Sequence, residues 1–174
     1  MAPRLLTARI TFLEMRQPPA HLPPMPGRPR LALLRAPAIP LPYYRYLYEQ
    51  VGKPHHWMLR RKMNDAALAA AVHAETTEIT VLYADGAPAG FFELDFAGLP
   101  GRAELAYFGL CRTHTGLRLG RWFLGEAVAA LWARKPGIVA VHTNTLDHPA
   151  ALPLYQRLGF EPVGVGEETV EAWE

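Results

Sequence analysis

The chain has 174 residues, half of them hydrophobic and a fifth charged, with a formal net charge of +2 and a single cysteine. Such a length suits one domain, residues 1–174, with room for a substantial core. The weak positive charge gives no footing for a nucleic-acid partner, one cysteine precludes an intramolecular disulfide and paired-cysteine metal spacings, and no run is long and apolar enough to span a membrane.

Leu5 and Leu6 are not followed by the apolar core of a leader peptide, so the cytoplasm is the default compartment. Ala8 to Met15 partly alternates apolar and polar residues and predicts a first strand. Gln17 to Pro29 is dense in proline, which removes backbone donors; it is expected to be a long connection over the surface, about 17–42, broken by a short strand from Arg30 to Ala36. Pro42 to Gly52 suits a helix, with Pro at its start and Gly past its end. The tyrosines at 43, 44, 46 and 48 cannot all enter one core, so some are expected to face a groove or water. His55 and His56 are adjacent and point different ways, so no metal is assigned to them. The basic run at Arg60, Arg61 and Lys62 reads as a solvated helix face, and Asn64 as the cap of a helix through Ala74.

From Glu78 the pattern changes to strands. Glu78–Ala84, the turn signal Asp85-Gly86, Pro88–Phe96, a second turn at Leu99-Pro-Gly101 and Glu104–Leu110 predict an antiparallel meander. The polar loop Cys111–Gly120 follows, and then Leu119, Trp122, Phe123, Ala127, Ala130 and Leu131 recur at helical spacing. Strand, glycine-bearing turn and helix together present free N–H groups and a positive helix end to an anion. Gly137–Thr145 is a further strand, reached through the helix and therefore parallel to its predecessor. The tail from Val163 to Trp173 supplies one or two more strands, although Gly164 and Gly166 weaken that expectation.

Two stretches carry a resemblance. The loop from Leu110 to Gly120 follows the spacing V-x-P-x-x-[Gln/Arg]-x-x-Gly-x-Gly/Ala, with Thr115 at the Gln/Arg position, Arg118 at the first Gly and Gly120 at the second. Ala151, Leu154, Tyr155, Gly159 and Phe160 match the later pattern Asn-x-x-Ala-x-x-Leu-Tyr-x-x-x-Gly-Phe, with His148 in place of Asn. From about Glu78 to Phe160 the chain thus resembles the GNAT superfamily of acyl-CoA-dependent N-acetyltransferases, departing from it at Thr115 and Arg118. The resemblance implies an α/β fold: a mixed, mostly antiparallel sheet flanked by helices, with a parallel strand pair at the cofactor site. It implies acetyl-CoA as co-substrate, a primary amine of a small molecule or an α-amino group as acceptor, and direct attack. A catalytically silent protein of the same fold, binding CoA or serving regulation, is the alternative. Neither metal nor membrane is implied, and a homodimer stays open.

Residue by residue, the resemblance implies that the backbone N–H groups of Thr115, Gly116, Leu117, Arg118, Leu119 and Gly120 hold the pyrophosphate. The strand at Phe108 and Leu110 would pair with the pantetheine arm, and an N–H near Leu110 would face the developing oxyanion. Tyr155 is the expected acid toward the thiolate. Glu104 is the leading carboxylate for the base; Glu93 and Asp95, sharing a strand face, are its rivals. Asn144 and His148 are expected at the cofactor, Tyr43 and Tyr44 at the acceptor, and Cys111 is read as packing. Glycines 116 and 120 have the wrong spacing for a dinucleotide loop.

Overall fold

The computed structural model describes residues 2–174. Its elements in chain order are β1 (Leu5–Met15), β2 (Leu31–Arg35), α1 (Leu41–Gly52), α2 (Asp65–Val72), β3 (Thr77–Ala84), β4 (Ala87–Asp95), β5 (Arg102–Leu110), α3 (Gly120–Trp132), β6 (Ile138–Asn144), α4 (Ala151–Leu158) and β7 (Glu161–Glu171). Seven strands form one sheet in the order β2-β3-β4-β5-β6-β1-β7. Every neighbouring pair is antiparallel except β5 and β6. This is the mixed architecture that the sequence implied.

Alternation along the central strands builds a core on each face. Phe92, Leu94 and Leu105 point to one side, where Phe123, Leu124, Val128 and Leu131 of α3 meet them. Ile79, Val81 and Phe91 point to the other, against Tyr44, Leu47 and Val51 of α1 and Leu68 and Val72 of α2. Full burial of such side chains contributes about 1.5–3 kcal/mol each, so the two helical layers are fixed to the sheet by a handful of residues apiece.

Some local expectations need correction. Gly52 ends α1 from inside it; a Cβ there would stand 2.6 Å from the Trp57 ring, so glycine is required by close packing. The run at Arg60–Lys62 is not a helix face but an irregular segment ahead of α2. Asn64 caps α2 as expected, accepting from the Ala67 N–H at 2.9 Å, and the helix stops at Val72. The tail is one long edge strand, paired with β1 from Leu5↔Glu171 to Glu14↔Glu161. Its glycines do not break it, because the Phe12 ring of β1 lies over Gly164 and Gly166 and supplies the packing they lack.

Because β1 and β2 lie far apart in the sheet, the proline-rich segment must cross several strands to join them. It does so over α3, where Pro23 packs on Gly125. Proline suits this course, since an extended strap has no ladder in which its missing donors would be felt.

Candidate active site

The cavity begins where β5 and β6 part. They are paired only through Arg102↔Ile138, Ala103↔Val139 and Glu104↔Ala140. On its other side, the β5 register passes from Tyr107↔Glu93 to Leu105↔Leu94, leaving Ala106 as an extra residue. A bulge bends and twists the strand that carries it. Beyond it β5 stays with β4 while β6 stays with β1, and a gap opens between them. The Cys111 N–H donates to Ala89 C=O of β4 at 2.7 Å. By strand alternation the amides of Gly109 and Tyr107 also face β4, which turns those of Leu110 and Phe108 to the gap. A cavity of about 1340 Å³ fills it, lined along one wall by Phe108 and Leu110 and along the other by Val141, His142 and Asn144. That is more than a single small ligand needs.

One end of the cavity is made of backbone. After Leu110 the chain makes a short turn at Arg112–His114 and enters α3 at Gly120. The first helical hydrogen bond is from Phe123 N–H to Leu119 C=O at 3.0 Å. The amides from Gly116 to Trp122 donate to no protein acceptor among the described residues. Two residues of this turn are left-handed, Gly116 at φ 81° and Arg118 at φ 58°. The family glycine at the latter position thus answers a backbone need, and here arginine adopts that conformation instead. Thr115, Gly116, Arg118, Leu119 and Gly120 line the cavity, joined by Arg121 and by Arg157 of α4; Leu117 is half exposed and lies off the lining. Free amides at the start of a 13-residue helix, with arginines beside them, fit a diphosphate.

The other end is made of side chains brought from far apart. Trp57, Met58, Leu59, Arg60 and Lys62 come from the segment before α2; Tyr48, Asp95, Glu104 and Tyr107 from α1, β4 and β5; Glu168 and Glu171 from β7. Tyr48, Trp57 and Tyr107 form an aromatic cluster with ring centroids 5.1–5.5 Å apart. Trp57 Nε1–H donates to Asp147 Oδ1 at 3.2 Å, and Trp173 N–H to His56 Nδ1 at 2.9 Å, tying this segment to the rest of the cavity and to the C-terminal strand.

Arg60 anchors the segment. Its Nη2 meets Glu93 Oε1 at 2.5 Å, and the Tyr44 hydroxyl donates to Glu93 Oε2 at 2.5 Å. The Glu93 side chain is 1% exposed. Burial and the neighbouring Glu93 charge push the Tyr44 phenol up, and that carboxylate also raises the Arg60 guanidinium. Glu93 therefore does not line the cavity: Arg60, which does, covers it. Tyr44 is fully buried with Glu93, and Tyr43 shares a hydrogen bond of 2.8 Å with Tyr83 of β3, so neither lines the cavity, whereas Tyr48 does. Asp95 lines it, although its Oδ1 accepts from the Ala97 N–H at 2.8 Å.

Between the two ends stands Tyr155 of α4, buried among Phe108 and Phe160 with ring centroids at 6.5 and 5.8 Å. Its position is set by the helix end, where Gly159 takes a left-handed conformation and the Phe160 N–H returns to Tyr155 C=O at 3.1 Å. Pro153 falls in the first turn, where its missing N–H costs nothing. Burial and the Asp147 carboxylate push the phenol up, keeping it protonated. Asp147 is itself held by the Thr143 hydroxyl at 2.6 Å and the Asn144 N–H at 3.0 Å. Asn144 donates from Nδ2 to Glu168 at 2.7 Å, and His148 Nδ1 meets the Ala150 N–H at 3.1 Å; both residues line the cavity. Cys111 is buried, and that burial pushes its thiol up to about 11, away from a nucleophile's range. Among the described residues no group of three His, Cys, Asp or Glu side chains is arranged to hold a metal, and no helix is long and apolar enough to cross a membrane.

A sequence model of the acetyltransferase (GNAT) family matches residues 41–160, and the chain belongs to that family. Solved structures of the same fold include a GCN5-related N-acetyltransferase from Sphaerobacter thermophilus, at 17% identity and a TM-score of 0.66, covering 99% of this chain and 53% of that one. A tandem GNAT protein from the clavulanic acid biosynthesis pathway is 21% identical with a TM-score of 0.62, covering 94% of this chain and 53% of that one. The ribosomal-protein-S18-alanine N-acetyltransferase from Escherichia coli is 16% identical with a TM-score of 0.62, covering 83% and 96%. The chain thus spans about half the length of the first two. A search of curated proteins found no match.

Proposed function

We infer that this chain, acting as one domain, is an N-acetyltransferase that moves an acetyl group from acetyl-CoA to a primary amine by direct attack. The acceptor class is a small molecule or an α-amino group. The observation that carries this reading is a single cavity with an anion-binding helix start at one end, a protonated phenol midway and carboxylates at the other.

Acetyl-CoA, when bound, supplies an acetyl group activated as a thioester. The amides from Thr115 to Gly120 and the arginines at 118, 121 and 157 bind its phosphates. Phe108 and Leu110 offer backbone to the linear arm, as an edge strand does to an added strand, and the Leu110 N–H stabilises negative charge developing on the acyl oxygen. Asn144 and His148 flank the same path. Tyr155 hands a proton to the departing sulfur. Glu104 and Asp95 line the acceptor end, where a carboxylate draws an ammonium inward. The left-handed turn persists at Arg118, which favours a binding-competent loop over a silent one.

Calorimetry with acetyl-CoA, followed by thiol release on a panel of primary amines, tests the reading. Micromolar binding with amine-dependent release supports it. Binding without release on any amine would leave the silent fold, and no binding would end the transferase reading.

A further inference from the structure

Glu104 and His142 face each other at the root of the split between β5 and β6, and both line the cavity. His142 Nδ1 stands 3.5 Å from Glu104 Oε1, and the histidine side chain is 48% exposed. Resting on the transferase reading above, we propose that His142 is the base that takes the proton from the acceptor's ammonium group, with Glu104 as the positioning residue that acts through it.

The other carboxylates near the cavity are engaged elsewhere. Glu93 is closed off under Arg60, Asp95 is bonded to its own turn, Asp147 is taken by Thr143, Asn144 and Trp57, Glu168 accepts from Asn144, and Glu171 is paired with Lys62. Glu104 itself is held below the usual carboxylate range, chiefly by His142 and also by Arg102. So strongly ionised a group is a poor match for a proton leaving an ammonium of pKa about 10, whereas an imidazole is a closer one. Against the opposing effect of burial, Glu104 from β5 above all, with Glu168 from β7 and Asp147 from the turn after β6, raises the ring above an ordinary histidine. The Phe12 ring of β1 packs beside it, at 5.9 Å between centroids. With the proton on Nδ1, the ring nitrogen that stands 3.5 Å from Glu104, the lone pair sits on Nε2, the tautomer a base requires.

The balance is simple. Nε2 accepts one proton from R–NH3+, leaving the free amine and an imidazolium that Glu104 stabilises. The amine forms the C–N bond as the C–S bond breaks. Tyr155 protonates the sulfur and recovers a proton from the new amide nitrogen, and the imidazolium returns its proton to water, so each turnover releases one proton.

Two measurements decide the matter. In the free protein, NMR titration of the imidazoles should find one signal, absent in His142→Gln, with a midpoint above the ordinary histidine value; in Glu104→Gln that midpoint should fall. With acetyl-CoA and the best amine of a panel of 2-phenylethylamine, spermidine and an alanyl peptide, kcat/KM should drop below the His142 midpoint. The acid limb should move to lower pH in Glu104→Gln, because the ring loses the charge that raised its pKa. His142→Gln should lose the limb and about 100-fold in kcat/KM, with acetyl-CoA affinity unchanged within about twofold. Turnover with a limb that stays in place in Glu104→Gln, or a His142→Gln enzyme as fast as wild type, overturns the dyad alone. Acetyl-CoA binding with no amine acetylated overturns the transferase reading and the base assignment with it. Both side chains are partly exposed, so a native-like NMR spectrum is expected of each variant.

Discussion

The two ends of the cavity are built by opposite means. At the phosphate end the chain contributes backbone, a run of amides from Gly116 to Trp122 without acceptors among the described residues, placed by a turn and a helix start that follow one another in sequence. At the acceptor end it contributes side chains from α1, the segment before α2, β4, β5, β6 and β7, held together by a buried ion pair and an aromatic cluster. A site made of backbone tolerates changes of residue as long as the turn keeps its shape, as Arg118 shows at a family glycine position. A site made of side chains fails when one anchor goes. Damage at one end should therefore leave the other working.

Glu93→Ala should test that separation most severely. It strands the Arg60 guanidinium without its carboxylate and leaves the Tyr44 hydroxyl without an acceptor. Removing one partner of a buried pair costs about 3–5 kcal/mol, and urea denaturation should read a loss of that order. At a temperature where the variant is still folded, acetyl-CoA affinity should nonetheless stay within about threefold of wild type. If the affinity collapsed as well, the two ends would be one cooperative unit. Next in size is Tyr155→Phe, which stands between the ends. Among the described residues its hydroxyl has no hydrogen-bond partner to lose, so stability should hold, while kcat should fall about 100-fold, or ~2.7 kcal/mol, with acetyl-CoA binding intact. Unchanged turnover would make the phenol a packing residue.

The same contrast explains what could be read from sequence. The loop runs straight into its helix and the motif around Tyr155 is a short local pattern, so each was legible from its own spacing and from the resemblance that the spacing carries. The meander was legible from alternation and its turn at Asp85-Gly86. The acceptor end was not. Arg60 sits in a basic run with the signature of a solvated surface, and its partner Glu93 lies 33 positions away on a strand. Nothing local indicates that the two meet, or that their meeting removes Glu93 from the cavity. Strand alternation did put Glu93 and Asp95 on one face, but it could not show that Arg60 would cover the first and leave the second open. Tyr43 and Tyr44 failed as cavity residues for a related reason. A helix of tyrosines offers several faces, and only its packing on Phe91 and Tyr107 selected Tyr48 as the one turned inward. His142 was missed because a histidine in a strand carries no signal until the β5–β6 split brings Glu104 to it. A Glu on one strand and a His on the next parallel strand are the one clue the sequence held.

Gly120→Glu brings the comparison back to the backbone end with a smaller effect. A Cβ at Gly120 would meet Leu154 and Leu110 only at 3.8 and 3.9 Å, so the fold should accept the side chain, but its carboxylate would face the phosphates. About tenfold weaker acetyl-CoA binding, some 1.4 kcal/mol, is the expected result, and unchanged affinity by calorimetry would remove this turn from the site. Arg118→Gly should be smaller still. Relief of a left-handed arginine, worth about 1–2 kcal/mol, is largely offset by the roughly 1 kcal/mol entropic cost of a new glycine, so stability should barely move. What remains is the loss of one charge beside a diphosphate, a few-fold drop in affinity that should fade as salt rises from 50 to 500 mM because exposed charges are screened. A drop that ignored salt would mean that Arg118 matters for the shape of the turn and not for its charge, and the backbone end would then depend on that side chain after all.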